Sequence, residues 1–226
     1  MRSQHGYLAV HDTAQRAADV LAVLRAGAPE QREQVIAVLR ARGEPEPIEI
    51  TEADMTEVRQ AALELLEVFT AASTAEAAER LSRLLAGHAR PPRLTTHEGQ
   101  AGWHVHVDSR DDAPWGEWFL TSSCLALALL LAERQAPPAG ICASPSCGKP
   151  FVNTGRGSAR HYCGPSCGTR ERVAAHRARS GRADRDHGGD FLLQAQVVEA
   201  LVQVGAGAGG GSGRGGDGCR AGPGRT

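Results

Sequence analysis

Apolar residues recur at helical spacing through the first part of the chain. Ala17, Val20, Leu21 and Leu24 form a stripe over residues 12–26, and Val35, Val38 and Leu39 form another over residues 30–41. Asp12 reads as the N-cap of the first helix. A break follows at Gly43-Glu-Pro-Glu-Pro47. Thr51, with Asp54 three residues on, opens a third helix, with Val58, Ala62, Leu65, Leu66 and Phe69 on one face. Residues 74–86 give a fourth, with Ala77, Ala78, Leu81, Leu84 and Leu85 apolar. The period then changes to two. Arg93-Leu-Thr-Thr-His97 and Trp103-His-Val-His-Val107 alternate around Gly99 and Gly102, which predicts a β-hairpin. Residues 115–134 return to helix, and Pro137-Pro138 closes it.

The pattern after that is set by cysteines. Cys142, Cys147, Cys163 and Cys167 are separated by four, fifteen and three residues. Two close thiol pairs joined by a short loop can enclose one metal ion, and four soft thiolates suit zinc. Four thiolates leave no position for water, so the metal is structural and the finger does no chemistry. A treble-clef-like fold is expected. Cys142–Cys147 forms a knuckle whose Gly148 takes a positive φ. Residues 151–152 and 160–162 form short strands around a Gly155-Arg-Gly157 turn. Pro165 takes the first helical position, with Cys163 before the helix and Cys167 in its first turn.

The net charge of −1 hides an asymmetry. Residues 1–141 carry 13 Arg and 20 acids, a net of −7, and residues 142–226 carry 12 Arg or Lys and 6 acids, a net of +6. Only the second half suits a polyanion. At 100° per residue, Cys167, Ala174 and Ala178 share the side expected to face the metal, and Arg172, His176 and Arg179 take the other, with Arg177 beside them. Cations on one face suit DNA contact. The expected DNA-binding residues are Arg156, Arg160, Arg170, Arg172, His176, Arg177 and Arg179, with Arg170 placed to brace the fold as well.

Cys142-Ala-Ser-Pro-Ser-Cys147-Gly-Lys-Pro-Phe151, Arg160-His-Tyr-Cys163, Cys167-Gly-Thr-Arg170 and His176-Arg-Ala-Arg179 resemble the CGNR zinc finger. In that family the finger closes a chain that begins with an ABATE domain, and the proteins are described as stress-induced transcription regulators of bacteria. The resemblance covers roughly residues 8–180, strongly in the finger and diffusely before it. Thr169 stands where the signature has Asn, and Asn153 where an Asp is common; neither is a metal ligand.

The chain therefore reads as an α+β protein of four parts. A mainly helical ABATE-like domain with a hairpin spans 1–138, a four-cysteine zinc finger 139–182, a short amphipathic helix 183–204 that docks on the body or pairs with a second chain, and a disordered Gly/Arg-rich tail 205–226. His104, His106 and Asp108 share one face of a strand, and are read as the polar face of an edge hairpin in preference to a metal motif. Cys124 reads as a small core residue, and Cys219 as no ligand. No Ser-His-Asp, Walker or dinucleotide fingerprint occurs, so no enzyme is expected. The apolar stretch at 118–132 is short of the about 20 residues a membrane span needs. With no signal peptide evident, a cytoplasmic location is expected. The alternatives to DNA binding are a finger that binds protein or RNA and, less favoured, an enzyme built on His104 and His106.

Overall fold

Helices form where the apolar stripes place them, and two small hairpins are set between and after them. In chain order the elements are α1 (Ser3–Ala26), α2 (Gln31–Ala41), α3 (Glu52–Phe69), α4 (Thr74–His88), β1 (Arg93–Thr95), β2 (His104–His106), α5 (Trp115–Arg134), β3 (Ala139–Ile141) and β4 (Pro150–Val152). This computed structural model describes residues 3–99, 101–153 and 160–180. The chain divides into two units, Met1–Glu171 and Arg172–Thr226. The expected helix at 183–204, the tail at 205–226 and the 155–157 turn lie outside the described residues.

The helix starts follow local chemistry. Thr51 and Asp54 form the expected capping box. Thr51 Oγ1 accepts from the Asp54 N–H at 3.2 Å, and Asp54 Oδ2 accepts from the Thr51 N–H at 2.8 Å. Ser73 caps α4 through its hydroxyl, accepting from the Glu76 N–H at 3.1 Å, while Glu76 reaches back to the Ala72 N–H. The first helix departs from expectation. It begins at Ser3, so Asp12 lies within it and is not its N-cap. Nothing between Ser3 and Asp12 breaks a helix except Gly6, whose cost of about 1 kcal/mol a long helix absorbs. Asp12 lies 3.8 Å from Arg42, whose Nε also donates to Asp19 at 3.0 Å, tying α1 to the end of α2.

The core is organised around α5, which packs most extensively against α3, then α1 and α4. By length and hydropathy α5 would pass for a membrane span. Its face of Phe119, Leu120, Cys124, Leu127 and Leu130 is instead buried in the helical core. The polar interruption within it is largely satisfied internally. Thr121 Oγ1 donates to the Glu117 carbonyl at 2.9 Å, and Ser122 Oγ to that of Trp118 at 2.6 Å. Gly116 allows α5 to touch α3, because a Cβ there would lie 2.6 Å from Glu57 Cβ and 2.9 Å from its carbonyl carbon.

Helical periodicity does not announce the buried charge at Arg16. This side chain is 9 % exposed, donates to Ser122 Oγ at 2.8 Å, lies 3.6 Å from Glu44 and sits 4.0 Å over the Trp118 ring. Burial pulls its pKa down to about 10, with Glu44 opposing.

The first hairpin is antiparallel, with Arg93 opposite His106, Leu94 opposite Val105 and Thr95 opposite His104. Its orientation differs from expectation. Leu94 and Val105 are exposed, whereas Thr95, His106 and Asp108 are buried. The polar face can turn inward because its members satisfy one another. Arg93 pairs with Asp108 and Asp111, Thr95 Oγ1 donates to Asp111 Oδ2 at 2.8 Å, and Asp108 accepts from His106.

The second hairpin also differs. β4 pairs with β3, Ala139 opposite Val152 and Ile141 opposite Pro150, and residues 160–162 form no strand. The knuckle is the turn of this hairpin, so its arms must be the residues flanking Cys142–Cys147. Residue 161 contributes one bond, its carbonyl accepting from the Ala143 N–H at 2.8 Å. β4 joins two cores. Val152 packs with the helices, and neighbouring Phe151 packs with Cys142 and Cys167, as strand alternation requires.

Candidate metal centre

The knuckle is closed by backbone bonds. The Cys142 N–H donates to the Lys149 carbonyl at 2.9 Å and the Cys147 N–H to that of Ser144 at 2.9 Å. Gly148 follows at φ +57°, the left-handed conformation expected there. The second pair comes from the segment leading into helical residues 165–171, with Cys163 before the helix and Cys167 in its first turn.

The four sulfurs converge. Their ligand atoms all lie within 4.8 Å of one another. Cys147 Sγ is 3.7 Å from Cys163 Sγ, which is 3.8 Å from Cys167 Sγ. A tetrahedral zinc with sulfurs at about 2.3 Å has sulfur–sulfur edges of about 3.8 Å. The residues therefore fit such an ion. Cys142 and Cys167 are buried, and Cys147 and Cys163 are half-buried. Burial opposes ionisation of Cys142, but the N–H groups of Cys163 and Ser144 outweigh it and bring its pKa to about 7. Burial and crowding by the neighbouring thiols push Cys163 up to about 12. The thiolate is the form that ligates a metal, so binding an ion here would release protons from the site.

Around the sulfurs, polar side chains brace the finger. Arg170 donates to Ser146 Oγ, and its other terminal nitrogen lies 3.9 Å from Cys167 Sγ. Buried Ser144 donates to Glu171 at 2.6 Å. Asn153 Nδ2 donates to the Pro137 carbonyl at 2.8 Å, while its Oδ1 accepts from the Arg160 N–H at 3.3 Å. Arg160 in turn donates to the Val152 carbonyl at 2.7 Å and lies 5.5 Å from the Phe151 ring centre. Asn153 thus uses an amide donor that a carboxylate would lack.

The remaining expected site residues separate into groups. Arg156 lies outside the described residues. Arg160 and Arg170 are exposed but engaged within the finger. In the second unit, residues 172–180 are helical and exposed, including Arg172, His176, Arg177 and Arg179. Ala174 and Ala178 are exposed too, so the expected inward face of small residues does not continue that far. The finger's small apolar cluster is already filled by Cys142, Phe151 and Cys167, with Cys147, Tyr162 and Cys163 beside them. The bracing roles of Ser144, Asn153 and Glu171 are not readable from sequence, since single polar residues among and beside the cysteines carry no periodic signal.

No curated protein matches the chain. Residues 139–180 match the family model of the CGNR zinc finger, and that segment holds all four clustered cysteines.

Proposed function

We propose that the chain is a zinc-dependent DNA-binding regulator. The observation that carries this reading is the convergence of four sulfurs, at tetrahedral zinc spacing, within the segment matching the CGNR zinc finger. Zinc is the metal assigned, because four thiolates at about 2.3 Å suit it and leave no open position. Its role is to hold the fold. DNA contact is assigned to Arg177, Arg179, His176 and Arg172, with Arg156 in support. Arg160 and Arg170 act chiefly as braces, since their guanidinium groups already bond within the finger.

The resemblance to CGNR proteins assigns the helical part an ABATE-like role, sensing a signal or mediating association in a bacterial stress response. In this reading the protein acts in the cytoplasm and the finger is not an enzyme. Selection of bound sequences from random duplex DNA, by the zinc-loaded full chain, tests the proposal. Enrichment of a shared motif supports it. Absence of any retained DNA, with the finger metal-bound, favours a finger that binds protein or RNA.

A further inference from the structure

The inward face of the β1–β2 hairpin holds a second cluster of metal-ligating side chains. His97, His104 and His106 bring their ligand nitrogens within 4.8 Å of one another. His104 Nε2 lies 3.0 Å from His97 Nε2 and 3.0 Å from His106 Nε2. The outer nitrogens of two rings are already committed. His104 Nδ1 is 2.7 Å from the Gly102 carbonyl oxygen, and His106 Nδ1 is 2.8 Å from Asp108 Oδ2. A carbonyl and a carboxylate only accept, so both Nδ1 atoms carry the proton. Arg93 approaches His106 Nδ1 only to 3.4 Å and bonds Asp108 instead.

In its neutral form, each of these two rings therefore turns a bare Nε2 lone pair toward its neighbour. Lone pairs at that distance repel. A proton on His97 Nε2 satisfies its contact with His104 and leaves the one between His104 and His106, whereas a metal ion satisfies all three nitrogens. A tetrahedral ion with nitrogens at about 2.0–2.1 Å has nitrogen–nitrogen edges of about 3.3 Å, within a small ring rotation of the two short contacts.

The surroundings favour the same occupant. His97 and Glu98 adopt φ +48° and +57°, a left-handed backbone uncommon outside glycine, and this turn returns the third ring to the other two. Thr95 Oγ1 holds the turn by accepting from the His97 N–H at 3.0 Å. Asp108 is 2 % exposed, and its bond to His106 is the carboxylate–histidine arrangement that orients a metal-binding imidazole. Asp111 lies 3.7 Å from His97 Nδ1. Two carboxylates, Asp108 and Asp111, thus stand against the single guanidinium of Arg93, which pairs with both.

We propose that Nε2 of His97, His104 and His106 binds one divalent first-row transition-metal ion, at a site separate from the four cysteines. Imidazoles suit zinc, copper, nickel and iron. Three protein ligands leave a fourth position for water or a small ligand. Asp108 is a positioning residue and does not touch the metal.

The test is titration of the reduced, metal-stripped full chain with Co2+, with metal content repeated using Zn2+. The wild type binds two equivalents. One shows the thiolate-to-cobalt charge-transfer band of the cysteines, and the other shows ligand-field bands without it. His97→Ala with His104→Ala loses the second and keeps the first, whose band also reports a folded finger. Asp108→Asn weakens the second by about 10–100-fold and spares the first. Cys163→Ser retains the second. If the double variant loses the thiolate band, His97→Gln replaces it. A single equivalent in the wild type overturns the proposal, as does a second equivalent unmoved by the histidine variants. None of these outcomes depends on whether the chain binds DNA.

Discussion

Cys147 Sγ lies 3.7 Å from Cys163 Sγ, although fifteen residues separate them in sequence. That contact is the seam between the knuckle and the second cysteine pair. Among the described residues the cluster around it is small, with Cys142, Phe151 and Cys167 buried, so metal binding should supply most of its folding energy, on the order of 10 kcal/mol. Cys163→Ser is expected to release the metal from the cysteine site and loosen the residues around it. The helices α1–α5 bury their own core and should keep most of their ellipticity. Metal analysis of the cysteine site, paired with circular dichroism, checks both halves.

Cys124 provides the matching control. It is 1 % exposed in α5, and burial pushes its thiol up to about 12. Cys124→Ala should leave metal content unchanged and cost about 1 kcal/mol through a small cavity. Urea denaturation measures the cost, and loss of metal would mean that the ligand set is wrong.

Buried Arg16 pairs with half-buried Glu44, and the two depend on each other. Arg16→Ala strands the Glu44 carboxylate, removes the contact with Trp118 and leaves Ser122 without that donor. Stability should fall by roughly 3 kcal/mol. Arg16→Met with Glu44→Gln removes the stranded charge and should recover at least half of that loss. Chemical denaturation of the three proteins provides the comparison.

Gly116 lies at a tight contact between α3 and α5. An added methyl would meet Glu57 Cβ at 2.6 Å and backbone behind it, so relief requires the helices to separate. Gly116→Ala should cost about 1–3 kcal/mol despite its better helix propensity. An unchanged melting temperature would contradict the packing described for these helices.

The helical stripes and the cysteine spacing were legible because periodicity and ligand spacing are local signals. The capping box at Thr51 and Asp54 and the full extent of α5 followed from such signals. What sequence did not show depends on pairing. The strand at Ala139–Ile141 is three residues long and follows two prolines, so it carries no alternation to read. The inward turn of His106 and Asp108 depends on Arg93, thirteen and fifteen residues away, supplying charge at the right place. His97 joins the other histidines only through a left-handed turn, which no spacing rule anticipates. The early start of α1 was missed for a simpler reason. Asp12 has the chemistry of a cap, and nothing local distinguishes it from an acidic residue within a longer helix.

The central claim is that the metal-bound finger region grips duplex DNA through exposed cations. Its most direct test is the affinity of the zinc-loaded full chain for duplex DNA as salt is raised. If Arg172, His176, Arg177 and Arg179 account for four phosphate contacts, the log–log slope should be about −3 to −4. Arg177→Ala with Arg179→Ala should make the slope shallower by about 2, with metal content unchanged. The account is contradicted if the folded, zinc-loaded protein shows no affinity for duplex DNA at low salt, or binds it with a slope that these substitutions do not move.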